Sequence, residues 1–164
     1  MSDRQLSESL DAMLELGSAL IVATVAPDGE PRAGRASAWS VVDAAARRIR
    51  VAVGADDPAM VANLRAGVAG GYVAITGADV ATLRSVQLKG RVVAVEAPSQ
   101  DDLDLVARHT DVFVGKIHVT DGHSPEVVRR FLPTALTMVE LVVEEAYDQT
   151  PGPSAGAVLP VGTQ

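Results

Sequence analysis

The chain contains no cysteine, so neither disulfides nor thiolate metal sites can contribute to its stability or its chemistry. That absence fits a reducing compartment, and a cytoplasmic protein is the expectation. Aromatic residues are nearly as scarce, with one Trp, two Tyr and two Phe. A core so poor in rings must be filled by Val, Ala and Leu, which favours strands. Long apolar runs are missing too. None approaches the ~20 residues that span a bilayer, and the charged start MSDRQLSESLDAMLEL does not read as a secretory signal, so no membrane partner is expected. Positive charge is in deficit, with 14 basic residues against 21 acidic ones and a formal net charge of -7. A negative field repels phosphate backbones, and no nucleic-acid partner is expected. There is also no G-x-G-x-x-G, no P-loop and no Gly-x-Ser-x-Gly elbow, which excludes the commonest nucleotide-binding and hydrolase designs.

What the chain does have is 164 residues of which 48% are hydrophobic, enough for one domain with a core. We place that domain at residues 1–148. A Pro/Gly-rich tail, 149–164, then either wanders or wraps along a surface such as a partner subunit.

The stretch Ala19 to Trp39 organises the remainder. A β-rich run from Ala19 to Ala26 meets the turn Pro27-Asp28-Gly29-Glu30, and a second extended run leaves from Pro31, so a β-hairpin is predicted. The second strand is odd. Between Arg32 and Ser40 it holds two arginines, two serines, one glycine, three alanines and the single tryptophan, with no Ile, Leu or Val. Pleated cores favour branched and aromatic side chains, so something should lie close against this strand. Trp39 itself is read as a core plug, with a flat ligand contact as the alternative.

Before the hairpin, Ser7 to Leu16 has helical spacing with Gly17 as its stop. After it, Ile49, Val51 and Val53 alternate as a third strand. Asp57 and Pro58 then open a short helix ending at Gly67. At its start Asp56 and Asp57 favour ordinary capping over anion binding. Gly70 to Thr76 reads as a fourth strand and Arg84 to Ala97 as a long fifth. Val86 and Leu88 precede Gly90 on one parity, and Val93 and Val95 follow on the other, so a bend or bulge is expected at Gly90. Ser99 and Asp102 have capping-box spacing ahead of another helix, whose register blurs between His109 and His118. Ser124-Pro125-Glu126 starts a further short helix, and Ala135 to Tyr147 forms a closing strand. The prediction is a mainly β protein: six antiparallel strands with short helices, closed into a small barrel.

Cations gather locally at Arg32 and Arg35, at Arg47, Arg48 and Arg50, and at Arg84, Lys89 and Arg91. Such a patch suits a small anionic ligand; the alternative is solvated strand edges. His109, His118 and His123 match no single-face helical spacing, so no metal site is expected and they read as surface histidines or a helix boundary. Asp101, Asp102 and Asp104 read as a solvated first helical turn.

The pieces ATVAPDGEPRAGRASAW, VAVGADDPAMVANLRAG and SVQLKGRVVAVE, with the closing strand, resemble in order the pyridoxamine 5'-phosphate oxidase-like, FMN-binding split-barrel family. The resemblance implies a six-stranded antiparallel split barrel and a homodimer holding FMN at its interface. It further implies an oxidoreductase of unassigned small-molecule substrate. Carried over by position, Arg35, Ala36, Ser37 and Ala38 would line the flavin from the second strand, Val53 and Gly54 from the third, and Ser85, Gln87 and Lys89 from the fifth. No catalytic residue is assigned. Family members usually place a Ser/Thr and one or two cations where this chain has Asp56, Asp57, Pro58 and Ala59. Phosphate-binding charge would then come from Arg35, Arg84 or Lys89. Otherwise the fold holds another cofactor, such as the deazaflavin F420 or haem, or serves as a flavin-free binding module.

Overall fold

The computed structural model describes residues 16–161. The helix expected over Ser7 to Leu16 therefore lies outside the described residues, apart from Leu16 itself. Gly17 turns the chain at a positive φ of 85°. The strand β1 (Ala19–Val25) then pairs antiparallel with β2 (Pro31–Asp43) across the predicted turn. β3 (Arg48–Gly54) follows, then helix α1 (Pro58–Gly67), β4 (Tyr72–Ala78) and β5 (Ser85–Glu96). A long helix α2 (Gln100–Asp121), a one-turn helix α3 (Pro125–Arg129), β6 (Leu136–Asp148) and a two-residue β7 (Val158–Leu159) complete the order.

Strand neighbours run β3-β2-β1-β4-β5-β6, and β3 also pairs with β6 from Arg48↔Val142 to Gly54↔Leu136, so six antiparallel strands close into a barrel. Val22, Val51, Val53, Leu88, Val139 and Leu141 fill its interior, each at most 1% exposed. With so few rings available, Trp39 is the one aromatic in that core.

Two irregularities decide which side chains face out. In β2 the register moves from Ala36↔Val53 to Ala38↔Ala52, which makes Ser37 an extra residue. A bulge of this kind flips the parity that follows it. Trp39 is thereby turned inward, out of the row it would share with Arg35 and Ser37 in an unbroken strand. In β5 the parity change predicted at Gly90 occurs later: Val86, Leu88, Gly90 and Val92 all point inward, and Val93 is the exposed extra residue between Val92↔Leu141 and Ala94↔Glu140. Gly90 has a different task. Opposite it β6 carries its own extra residue, Glu144, and a Cβ at Gly90 would lie 2.0 Å from the Val142 carbonyl oxygen.

The helix α2 lies on the outside of the barrel, where Leu105 and Val106 cover Ala38, Ala52 and Met138. Its first turn is bolted down. Ser99 and Asp102 form the predicted capping box, and Arg50 on β3 reaches Asp102 with two hydrogen bonds of 3.0 and 3.1 Å. Asp102 is thus a buried, paired carboxylate, unlike the solvated one expected. The guanidinium and the Ser99 bonds hold its pKa down to about 2. The blurred stretch between His109 and His118 is ordinary helix, continuous from Gln100 to Asp121.

The tail does not wander. Residues 149–161 loop back so that β7 pairs with β6 at Ala146↔Leu159 and Tyr147↔Val158, and Gln149 N–H donates to the Ser85 carbonyl at 2.8 Å.

Candidate functional site

On the outer face of the barrel two hollows adjoin at Arg35. One, of about 20 Å³, lies between α2 and the β1–β2 pair and is lined by Arg35, Ser37, His109, Phe113 and Leu132 among others. Its neighbour, a cleft of about 230 Å³, is lined by Arg35, Gly54, Arg130, Phe131 and Leu132 together with Asp56 and Asp57. Arg35 and Leu132 border both, so the two hollows adjoin along one outer groove of the surface that they divide between them. Local backbone chemistry builds it. A Cβ on Gly54 would meet Pro133 Cγ at 2.8 Å, so glycine lets the segment after α3 close against β2 and β3. Asp56 ties that segment down, accepting from Thr134 Oγ1 at 2.7 Å, Thr134 N–H at 3.0 Å and Ala135 N–H at 3.2 Å. Those donors lower the Asp56 pKa, the Thr134 hydroxyl most of all. Asp57 caps α1 by accepting from Ala59 N–H at 2.9 Å and lies 3.6 Å from Arg32. Asp57 therefore caps α1 as expected, whereas Asp56 commits its carboxylate to residues 134 and 135 instead.

Both phenylalanines of this ring-poor chain sit in the groove, Phe113 in one hollow and Phe131, 67% exposed, in the other. His109 is 2% exposed, not at the surface as its sequence context suggests, and its Nε2 has no hydrogen-bond partner. Burial, with Lys116 nearby, lowers its pKa to about 4, so the imidazole is neutral at pH 7. His118 Nδ1 lies 2.9 Å from the His123 carbonyl oxygen, and among the described residues no three metal-ligating side chains converge.

The residues proposed for cofactor contact divide into three sets. Arg35, Ala36, Ser37 and Gly54 border the groove, although Ala36 turns its side chain into the barrel. Val53 is sealed in the barrel interior and Ala38 lies under α2, so neither side chain can reach a ligand on the outer surface. Ser85, Gln87 and Lys89 stand elsewhere. Pairing runs Arg35↔Ile21↔Thr76↔Gln87, which puts three strand spacings of about 4.8 Å each between Arg35 and Gln87 on the same outer face. Ser85 is buried beneath the tail, bonded to Thr150, and Lys89 lies over the Tyr147 ring at 4.7 Å. Gln87 donates to Thr76 Oγ1 at 3.2 Å. Arg130, Phe131 and Phe113 were not singled out by any sequence motif, and His109 was noted only as a surface or helix-boundary histidine. The signals that could have found them are the scarcity of phenylalanine and the doubled arginine at 129–130.

Six antiparallel strands closed into a barrel, with a helix packed outside it, are the split-barrel architecture expected from the sequence. Solved structures of the same architecture include HupZ of Group A Streptococcus, at 16% identity over 89% of this chain and 98% of that one, with a TM-score of 0.50. An F420 reductase matches at 18% identity over 83% of this chain and 94% of that one, with a TM-score of 0.49. An FMN-binding protein of Syntrophomonas wolfei matches at 14% identity over 89% and 87%, with a TM-score of 0.48. The likeness is one of fold. No family model and no curated protein matches the sequence.

Proposed function

We propose that the chain is a flavin-binding split-barrel protein that holds FMN in the groove around Arg35 and acts as an oxidoreductase on a small molecule. One observation carries this: two adjoining outer hollows, one lined by Phe113 and the other by Phe131, meet at Arg35, a guanidinium that makes no ion pair among the described residues. A tricyclic ring needs the phenylalanine lining and its anionic side chain the guanidinium. Once bound, a flavin supplies hydride transfer. The chain's own part is to shield the ring from water and orient it, with the neutral His109 at its end of the groove. The exposed outer face of β1 and β4 would be covered by a second copy of the chain, giving a homodimer. A deazaflavin or haem is the second reading, kept because Asp56 and Asp57 stand on the same cleft where FMN-binding relatives of this fold would place phosphate-gripping cations.

Purified protein should be yellow, or take up FMN with quenching of flavin fluorescence and a rise in Tm. A colourless preparation whose Tm FMN leaves unmoved overturns the flavin reading, and the same titration with a deazaflavin and with haem then discriminates the rivals.

A further inference from the structure

Seven of the thirteen Lys and Arg residues among the described residues have a carboxylate or a ring as partner. Arg32 pairs with Asp57, Arg48 with Glu140, Arg50 with Asp102 and Glu96, Arg91 with Glu144, Lys116 with Asp79 and Arg129 with Asp111, while Lys89 covers Tyr147. Of the six without such a partner, Arg35 on β2 and Arg130, just after α3, are both exposed and line the same cleft. Their neighbours on that cleft do not compete for them: Asp56 is engaged by three donors from residues 134–135, and Asp57 by Ala59 N–H and Arg32.

We infer that Arg35 and Arg130 together form an anion site for a phosphate monoester, displaced from the start of α1 to the far wall of the cleft. A carboxylate has two oxygens, which one guanidinium fork satisfies. A phosphate monoester offers three terminal oxygens and up to two charges, enough to engage two forks and to outweigh the residual field of the two aspartates. The inference deepens the flavin reading by assigning the group that holds the phosphate end, but an anion site can exist without a flavin. Phe131, exposed beside Arg130, offers an apolar platform next to the phosphate.

The test is titration of the purified full chain with FMN, riboflavin and inorganic phosphate. FMN should bind about tenfold or more tightly than riboflavin, phosphate should compete with FMN, and Arg130→Gln or Arg35→Gln should each remove that preference. Arg108→Gln, an exposed position on α2 away from the cleft, should keep it. Asp57→Asn keeps an equally good helix cap while deleting one carboxylate, so it should tighten phosphate severalfold, a gain that a structural role for these residues would not produce. Phosphate binding that survives Arg130→Gln, or a wild-type protein that does not bind phosphate at all, overturns the site. If neither flavin binds but phosphate does so in an Arg130-dependent way, the flavin reading falls and the anion site stands.

Discussion

Two patches of the barrel's outer surface are built from equally small side chains and meet opposite fates. Ala38 and Ala52 are 1% and 0% exposed because Leu105 and Val106 of α2 lie on them. Of Ala33, Ala23 and Ala74, paired side by side across β2, β1 and β4, the first is exposed and the other two are only half-buried, and Ile21 and Val25 beside them are 43% and 61% exposed. Small residues on a strand therefore announce that something approaches closely, without saying whether it is the chain's own helix or another molecule.

The sharpest way to break the contrast is to unfasten the covered patch. Asp102→Ala removes the capping box and leaves Arg50 facing a part-buried vacancy, and should cost about 3 kcal/mol or more by urea denaturation. The same contact gives a pH signature. A folded pKa of about 2 against an ordinary 3.8 means that the stabilisation is complete above about pH 4 and disappears as pH falls toward 2. At the border of the two patches His109 acts in a higher window. Its folded pKa of about 4 lies below the ordinary 6.5, so the unfolded chain takes up the proton first. Stability should fall by roughly 3 kcal/mol as pH drops from 6.5 to 4, and His109→Phe should flatten that slope in pH-dependent melts. Met138→Ala, which hollows the contact under α2, should cost about 2–3 kcal/mol. On the open patch, Ala74→Glu should change monomer stability by no more than about 0.5 kcal/mol. If a second copy covers that patch, the same substitution should turn a dimer into a monomer in sedimentation; an unchanged mass would show that the patch is not the interface.

Element types and their order were legible because each has a local cause: Asp-Gly in the hairpin turn, Asp57-Pro58 at one helix start, Ser99 and Asp102 at another. Facing directions were legible only where alternation is unbroken. An extra residue such as Ser37 leaves no trace in a run of Ala and Ser, because small side chains show no preference for either face, and so Trp39 could not be assigned to its side from spacing alone. The groove was half legible. Arg35 stood out as a cation on a strand without branched residues, whereas Arg130 and Phe131 enter through a long-range contact made possible by Gly54 and Asp56. Lys89, equally prominent in sequence, is placed three strands away by pairing that only the closed barrel defines.

The short return of the tail bears on how the protein survives at high concentration. β3 accompanies β6 only as far as Val142, so the last residues of β6 would otherwise present a bare row of amide and carbonyl groups, a template for intermolecular strand addition. By laying Val158 and Leu159 along Tyr147 and Ala146, the chain covers that edge with its own backbone.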